Sequence, residues 1–201
     1  MPTEIQFPDE RLVFLDLEVA GGEPWRPIIQ LAAIAVDSRL DELERLEIKL
    51  RFRHRDADAR SLFGSRYSPE VWREEAISEC CALEQLSALL RRHATVDQVV
   101  AHGRVIQVAQ IVAHNSAFDA AVLMHWFDAY ERFMPASQRF LCTMQRAIWL
   151  IHEDKSLTPP PDYRLTTLAR YFGVPLRNGD AHDAMKDVEA TVGIYLSLIH
   201  I

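Results

Sequence analysis

The chain has 201 residues, 49% of them hydrophobic and 25% charged, with a net charge of −7. That suits one domain with a sizeable core, and the acidic balance argues against a broad electrostatic grip on duplex DNA. No apolar run approaches bilayer length, the first ten residues lack the basic and apolar segments of a signal peptide, and Cys80, Cys81 and Cys142 have no metal-type spacing. The expectation is a cytoplasmic protein with reduced thiols and no membrane association.

In chain order, residues 11–17 read as a buried strand, 21–27 as a turn and 28–36 as a second strand. Residues 44–52 alternate, with Leu46, Ile48, Leu50 and Phe52 on one face and Arg45, Glu47, Lys49 and Arg51 on the other. Three strands with short links predict an antiparallel meander. Arg51, Arg53, His54, Arg55 and Arg60 form a basic run diluted by Asp56 and Asp58, which reads first as a solvated strand edge and loop.

Helices follow. Residues 69–77 form a short helix with Ser68 as N-cap, and 83–93 carry Leu83, Leu86, Leu89 and Leu90 at helical spacing. Residues 96–110 fit no single pattern, and 105–113 suit a strand or, in part, a helix. Residues 116–130 read as a helix capped by Ser116, 140–143 as a short strand and 144–152 as a helix. The loop 155–162 holds Pro159, Pro160 and Pro161; residues 165–172 are helical up to Gly173 and Pro175; Asp183 caps a last helix. A meander followed by βα units predicts an α/β layer fold. Residues 196–201, Leu-Ser-Leu-Ile-His-Ile, match what a transposon-end sequencing adapter would encode. The expectation is a single domain over 1–195, with an adapter-derived tail at 196–201.

The chemistry lies in three clusters. Asp16 and Glu18 close the run Leu12-Val-Phe-Leu-Asp-Leu-Glu18; Asp119 closes His114-Asn-Ser-Ala-Phe-Asp119; His182 and Asp187 stand in His182-Asp-Ala-Met-Lys-Asp187. Carboxylates at alternate strand positions share a side, and two acids side by side repel unless a cation lies between them. Hard cations such as Mg²⁺ or Mn²⁺ prefer carboxylate oxygens with water and phosphate. Each cluster alone has an ordinary structural reading: a strand end reaching water, an acid at a helix start, a surface histidine–acid pair. Together they suggest a two-metal phosphodiesterase with His182 handling a proton.

These clusters, with Ile28–Asp37 after the first, Val112–Asp119 and Leu123 in the second, and Leu165–Gly173 ahead of His182, Ala184 and Asp187, resemble the DEDDh 3′–5′ exonucleases. That family includes polymerase proofreading subunits, ribonuclease T and oligoribonuclease. The resemblance runs from Leu12 to Tyr195. It implies a ribonuclease H-like fold, a central mixed sheet (three-strand antiparallel meander plus parallel strands) flanked by helices. It implies two divalent ions, Mg²⁺ or Mn²⁺, held by Asp16, Glu18, Asp119 and Asp187, with His182 as general base. The substrate would be the 3′ end of single-stranded DNA or RNA, released as nucleoside 5′-monophosphates. Val19, Ala20, Trp25 and Asn115 would border the terminal nucleotide, and Phe118 would anchor the core.

The stretch between Leu90 and Val112 is longer than usual for the family, and two departures in residue type stand out. Many relatives place Thr-Thr-Gly after the first-motif Glu, where this chain has Val19-Ala20-Gly21, and Gln30 stands where an acid is common. Both bear on substrate preference and leave the five chemical residues intact. Trp25, Tyr67, Trp72 and Trp126 are candidates for base stacking, Trp126 being more often core. Alternatives are an inactive binding or scaffold module on the same fold and the exonuclease part of a larger polymerase-associated protein. A homodimer is equally open.

Overall fold

The computed structural model describes residues 10–176 and 182–200. The reading of the N-terminal segment and the last tail residue, Ile201, lie outside them. Three strands, β1 (Leu12–Val19), β2 (Ile28–Val36) and β3 (Glu42–Lys49), make the expected antiparallel meander. A short α1 (Ala59–Gly64), α2 (Pro69–Glu75) and α3 (Glu79–Arg92) follow. Next come a hairpin of β4 (Val96–Val99) and β5 (Val105–Val108), then β6 (Gln110–Ala113) and α4 (Ser116–Ala129). The chain continues through β7 (Leu141–Cys142), α5 (Thr143–Glu153), α6 (Leu165–Tyr171) and α7 (Ala184–Ile199). The main sheet has the order β3-β2-β1-β6-β7, with β6 parallel to β1 and β7 parallel to β6. This is the mixed, helix-flanked sheet expected from the sequence.

Alternation along β1 divides its side chains between two layers. Val13, Leu15, Leu17 and Val19 join Leu31, Ala33, Leu86, Leu89, Leu123 and Phe127 in one core beneath α3 and α4. Phe14 turns the other way and packs with Ala32, Ile34, Val112, Met185 and Val188 beneath α7. Each such side chain contributes about 1.5–3 kcal/mol when fully buried, so α7 is fastened to the sheet at its start. Ala147, Leu168, Ile194 and Leu198 tie α5 and α6 to α7. Leu198 is thus buried within the segment read as a tail, and α7 runs on to Ile199.

Several elements differ from the sequence reading. β1 runs on through Glu18 to Val19, two residues past its expected end. α3 starts four residues early because the Ser78 hydroxyl accepts from the Cys81 N–H. The ambiguous stretch resolves into the hairpin and β6. Ser116 is not the cap of α4: Asn115 occupies that position in the left-handed region (φ 62°), without a side-chain cap bond. α1 was not anticipated at all; the Asp58 carboxylate caps it, accepting from the Arg60 and Ser61 N–H groups.

Candidate active site

β1 is longer than its parallel neighbour. On β1, β6 pairs with Leu12, Val13 and Phe14, so among the described residues the second half of β1 has no strand on that flank. The left-handed turn at Asn115 starts α4 at this gap, since Asn tolerates that conformation. Asp119, in the first turn of α4 and buried, fills it: its carboxylate accepts from the Leu17 N–H. Asp16 and Glu18 share the parity of Phe14 and so face α7. From there Asp187, also in a first helical turn and buried, approaches them.

The start of α7 is tightly specified. The Asp183 carboxylate accepts from the Lys186 N–H, and Asp187 Oδ2 accepts from the His182 N–H at 3.2 Å. His182 sits in the left-handed region (φ 67°), uncommon for a residue other than glycine. The ring is two-thirds exposed, with Nδ1 3.9 Å from Glu18 Oε1. Glu18, His182 and Asp187 each offer one ligand atom within 4.8 Å of the others.

The electrostatics are unfavourable without a counter-charge. Burial is the largest cause for each acid. It raises Glu18 to about 7, helped by Asp187 and Asp183. It raises Asp119 to about 8, against the lowering effect of its own and the Leu17 N–H groups and with the help of Glu18. Asp16 is held well above the usual range by burial and then by Asp119, Asp187, Glu18 and Asp183. Asp187 rises to about 6 through burial, although the His182 N–H and ring pull it down. Asp187 Oδ1 is buried with no hydrogen-bond partner among the described residues. Clustered carboxylates with an unsatisfied buried oxygen suit hard divalent cations.

The residues expected near the terminal nucleotide occupy different settings. Val19 and Ala20 are buried, and the backbone groups of Ala20 are taken: its N–H donates to Pro27 and its carbonyl accepts from Asp58. They hold the loop and present no side chain to solvent. Gly21 is required beside them, because a Cβ there would lie 2.3 Å from Arg26 Cγ. Trp25 is 67% exposed and flanks α4, lining a recess with Val122, Trp126 and Tyr130. Asn115 is exposed, and Phe118 packs on the core as expected. Trp72 and Trp126 are buried, Trp72 donating from Nε1 to the Ile29 carbonyl.

Three residues around the site were not given a part in it by the sequence. His114 Nε2 lies 3.0 Å from the Tyr163 carbonyl, which can only accept, so this nitrogen donates and Nδ1 accepts from the Thr143 hydroxyl at 2.9 Å. Burial lowers its pKa, consistent with a neutral brace between β6, α5 and the loop before α6. Asp183, read only as a cap, adds charge to the acid cluster, which its place beside His182 could have signalled. Arg66 Nη1 lies 4.0 Å from Asp183 Oδ2, a contact across more than a hundred residues with no local sequence signal.

Comparison with known proteins agrees with this architecture. Residues 84–195, more than half the chain, match the family model RNase_T, described as exonuclease. The chain belongs to this exonuclease family. The fold is ribonuclease H-like. E. coli exonuclease I in complex with a dT13 oligonucleotide superposes with a TM-score of 0.73 at 20% identity, over 94% of this chain and 41% of that one. The zinc-bound form of the E. coli enzyme with single-stranded DNA gives 0.71 at 20% identity, over 95% and 40%. The chain therefore spans about two fifths of the length of these structures. Comparison with curated protein sequences gives no match. Among the described residues, no helix is long and apolar enough to cross a membrane.

Proposed function

We propose that this chain is a DEDDh-type 3′–5′ exonuclease acting on single-stranded DNA ends. The observation that carries the reading is the convergence of Asp16, Glu18, Asp119 and Asp187 from β1, α4 and α7 on one buried locus beside His182. The four acids would hold two divalent ions, Mg²⁺ or Mn²⁺. When bound, such ions supply positive charge to the attacking and leaving oxygens. His182 accepts a proton from the attacking water, whose oxygen bonds to phosphorus as the bond to the neighbouring 3′-oxygen breaks. That oxygen takes a proton from solvent, leaving a nucleoside 5′-monophosphate and a shortened strand. Asp187 holds the backbone of His182 so that its ring stays beside Glu18. Asn115 and Trp25 border the terminal nucleotide, while Val19 and Ala20 shape the loop from beneath. We take residues 1–195 as the exonuclease domain, and Cys80, Cys81 and Cys142 as free thiols suit the cytoplasm.

The test is digestion of 5′-labelled single-stranded DNA and RNA with Mn²⁺, against EDTA and Asp16→Ala controls. A metal-dependent ladder shortening from the 3′ end of DNA, absent in the variant, is the expected result. No cleavage by folded, metal-loaded protein would favour the binding-module alternative. Gel filtration separates a homodimer from a monomer awaiting a polymerase partner.

A further inference from the structure

Asp119 and Asp187 arrive on helices that pack against opposite faces of the sheet, α4 on one core and α7 on the other. β1 lies between them: Phe14 packs beneath α7, and the Leu17 N–H donates to the Asp119 carboxylate. The start of α4 is otherwise lightly held. It follows the exposed, left-handed Asn115 (φ 62°), which makes no side-chain cap bond and accepts at its carbonyl from the Phe118 N–H at 3.0 Å. A helix start without a side-chain cap takes its place from the residues that lead into it.

The residue leading into that turn is His114. Its ring bridges two elements, with Nδ1 accepting from the Thr143 hydroxyl at 2.9 Å and Nε2 donating to the Tyr163 carbonyl at 3.0 Å. Both ring nitrogens are engaged, so the ring is fixed in orientation and leaves neither for a metal ion. Thr143 is 1% exposed and opens α5 directly after Cys142, which pairs with Ala113 between β7 and β6. Tyr163 stands two residues before α6 and packs on the cluster of Ala147, Leu168 and Ile194. Ile194 belongs to α7, the helix that brings Asp187. A path of packed and hydrogen-bonded groups therefore runs from α7 through Tyr163 and His114 to the first turn of α4.

We infer, resting on the divalent-ion site of the exonuclease reading above, that His114 is a positioning residue for Asp119. Its two hydrogen bonds register the start of α4 against the α5–α6–α7 core, and so set how tightly the Asp119 carboxylate and its partners hold a divalent ion. Groups that orient ligands without touching the ion act at this level, and small misplacements of a reacting group are costly.

The experiment is Mn²⁺ binding to metal-free protein, followed by electron paramagnetic resonance of the free ion, for wild type, His114→Phe, Asp119→Ala and the double variant. Folding of each is checked by circular dichroism. His114→Phe should weaken binding by about 10- to 100-fold. In the Asp119→Ala background, where Asp16, Glu18 and Asp187 remain, the same substitution should add no further loss, because the group it positions is gone. His114→Gln, whose amide can donate to Tyr163 and accept from Thr143, should regain most of the affinity. Thr143→Val removes the partner of Nδ1 with little change of shape; it should repeat the loss, and it replaces His114→Phe if that variant does not fold. Wild-type affinity in both His114→Phe and Thr143→Val overturns the inference. Losses that multiply in the double variant also overturn it, by making His114 a brace of the whole fold. A wild type that binds Mn²⁺ with the expected pattern yet digests neither DNA nor RNA overturns the exonuclease reading and leaves the positioning role standing. A wild type that binds no Mn²⁺ overturns both.

Discussion

Glu18→Gln should stabilise the protein when metal is removed. Burial, Asp187 and Asp183 raise the Glu18 carboxyl from 4.5 to about 7 in the folded chain, while the unfolded chain keeps the ordinary carboxylate value. Ionised Glu18 therefore opposes folding. The opposition is absent below about pH 4.5, grows through the window up to about 7, and is complete above it. The gap corresponds to roughly 3 kcal/mol at pH 8. The side chain keeps 14% of its surface exposed, so the working expectation is about 2–3 kcal/mol. The amide can donate to the neighbouring carboxylates, which removes repulsion without orphaning a polar group.

For a chain of this size that gain raises Tm by about 4–12 °C. Thermal melts of both proteins in EDTA from pH 4.5 to 8 measure it. Wild type should lose stability as pH rises, Glu18→Gln less so, and the two should converge at the acid end. Saturating Mn²⁺ should reverse their order at pH 8, because ligand binding to the folded state stabilises only the protein with the intact acid set. A Glu18→Gln variant no more stable than wild type in EDTA at pH 8, or an advantage that persists at pH 4.5, refutes the reasoning.

Asp16→Ala and Asp187→Ala should abolish digestion with folding retained by circular dichroism, and His182→Ala should leave a metal-dependent remnant reduced about 10²–10⁴-fold; wild-type activity in His182→Ala would remove the general base. Gln30→Glu tests the departure opposite Glu18: buried Gln30 donates from Nε2 to Glu47 at 3.0 Å. A carboxylate there should destabilise metal-free protein by about 1–3 kcal/mol at pH 8, with most of the loss recovered at pH 5. Urea melts showing no pH-dependent difference would sink that argument. His114→Phe, read by urea melts, should cost about 1–3 kcal/mol by stranding the Tyr163 carbonyl; unchanged stability would show that the brace carries no load.

What the sequence disclosed about the fold followed periodicity. The alternation in β3 and the paired acids of β1 needed only the pleat, and Asp183 announced α7 by its type and place. α1 was hidden because Asp58 and its short apolar pair, Leu62-Phe63, sit within a basic run whose charge reads as solvated loop. The hairpin was hidden because four-residue valine-rich strands satisfy either period. Ser116 was read as the cap from its type alone, but the tight exit from β6 places a left-handed residue there, and Asn115 adopts that conformation at little cost. The acid cluster became legible only by combining three motifs far apart in sequence. Arg66 beside Asp183 was not legible at all, since no local pattern encodes a contact made by packing.

The acid cluster is positioned by forces unrelated to its charge. Phe14, Met185 and Val188 fix α7 against β1, while Leu123 and Phe127 fix α4 beneath the opposite face. The gap left by the short β6 admits the start of α4 to the backbone of β1. Both helix N-termini offer partial positive charge to Asp119 and Asp187, yet each carboxyl remains raised, so burial outweighs the helix ends. Apolar packing thus holds four carboxylates where their own electrostatics would drive them apart. On the proposed reading, divalent cations would supply the missing counter-charge. The left-handed backbone of His182, bonded to one of those same carboxylates, would then tie the proposed proton acceptor to the cation site.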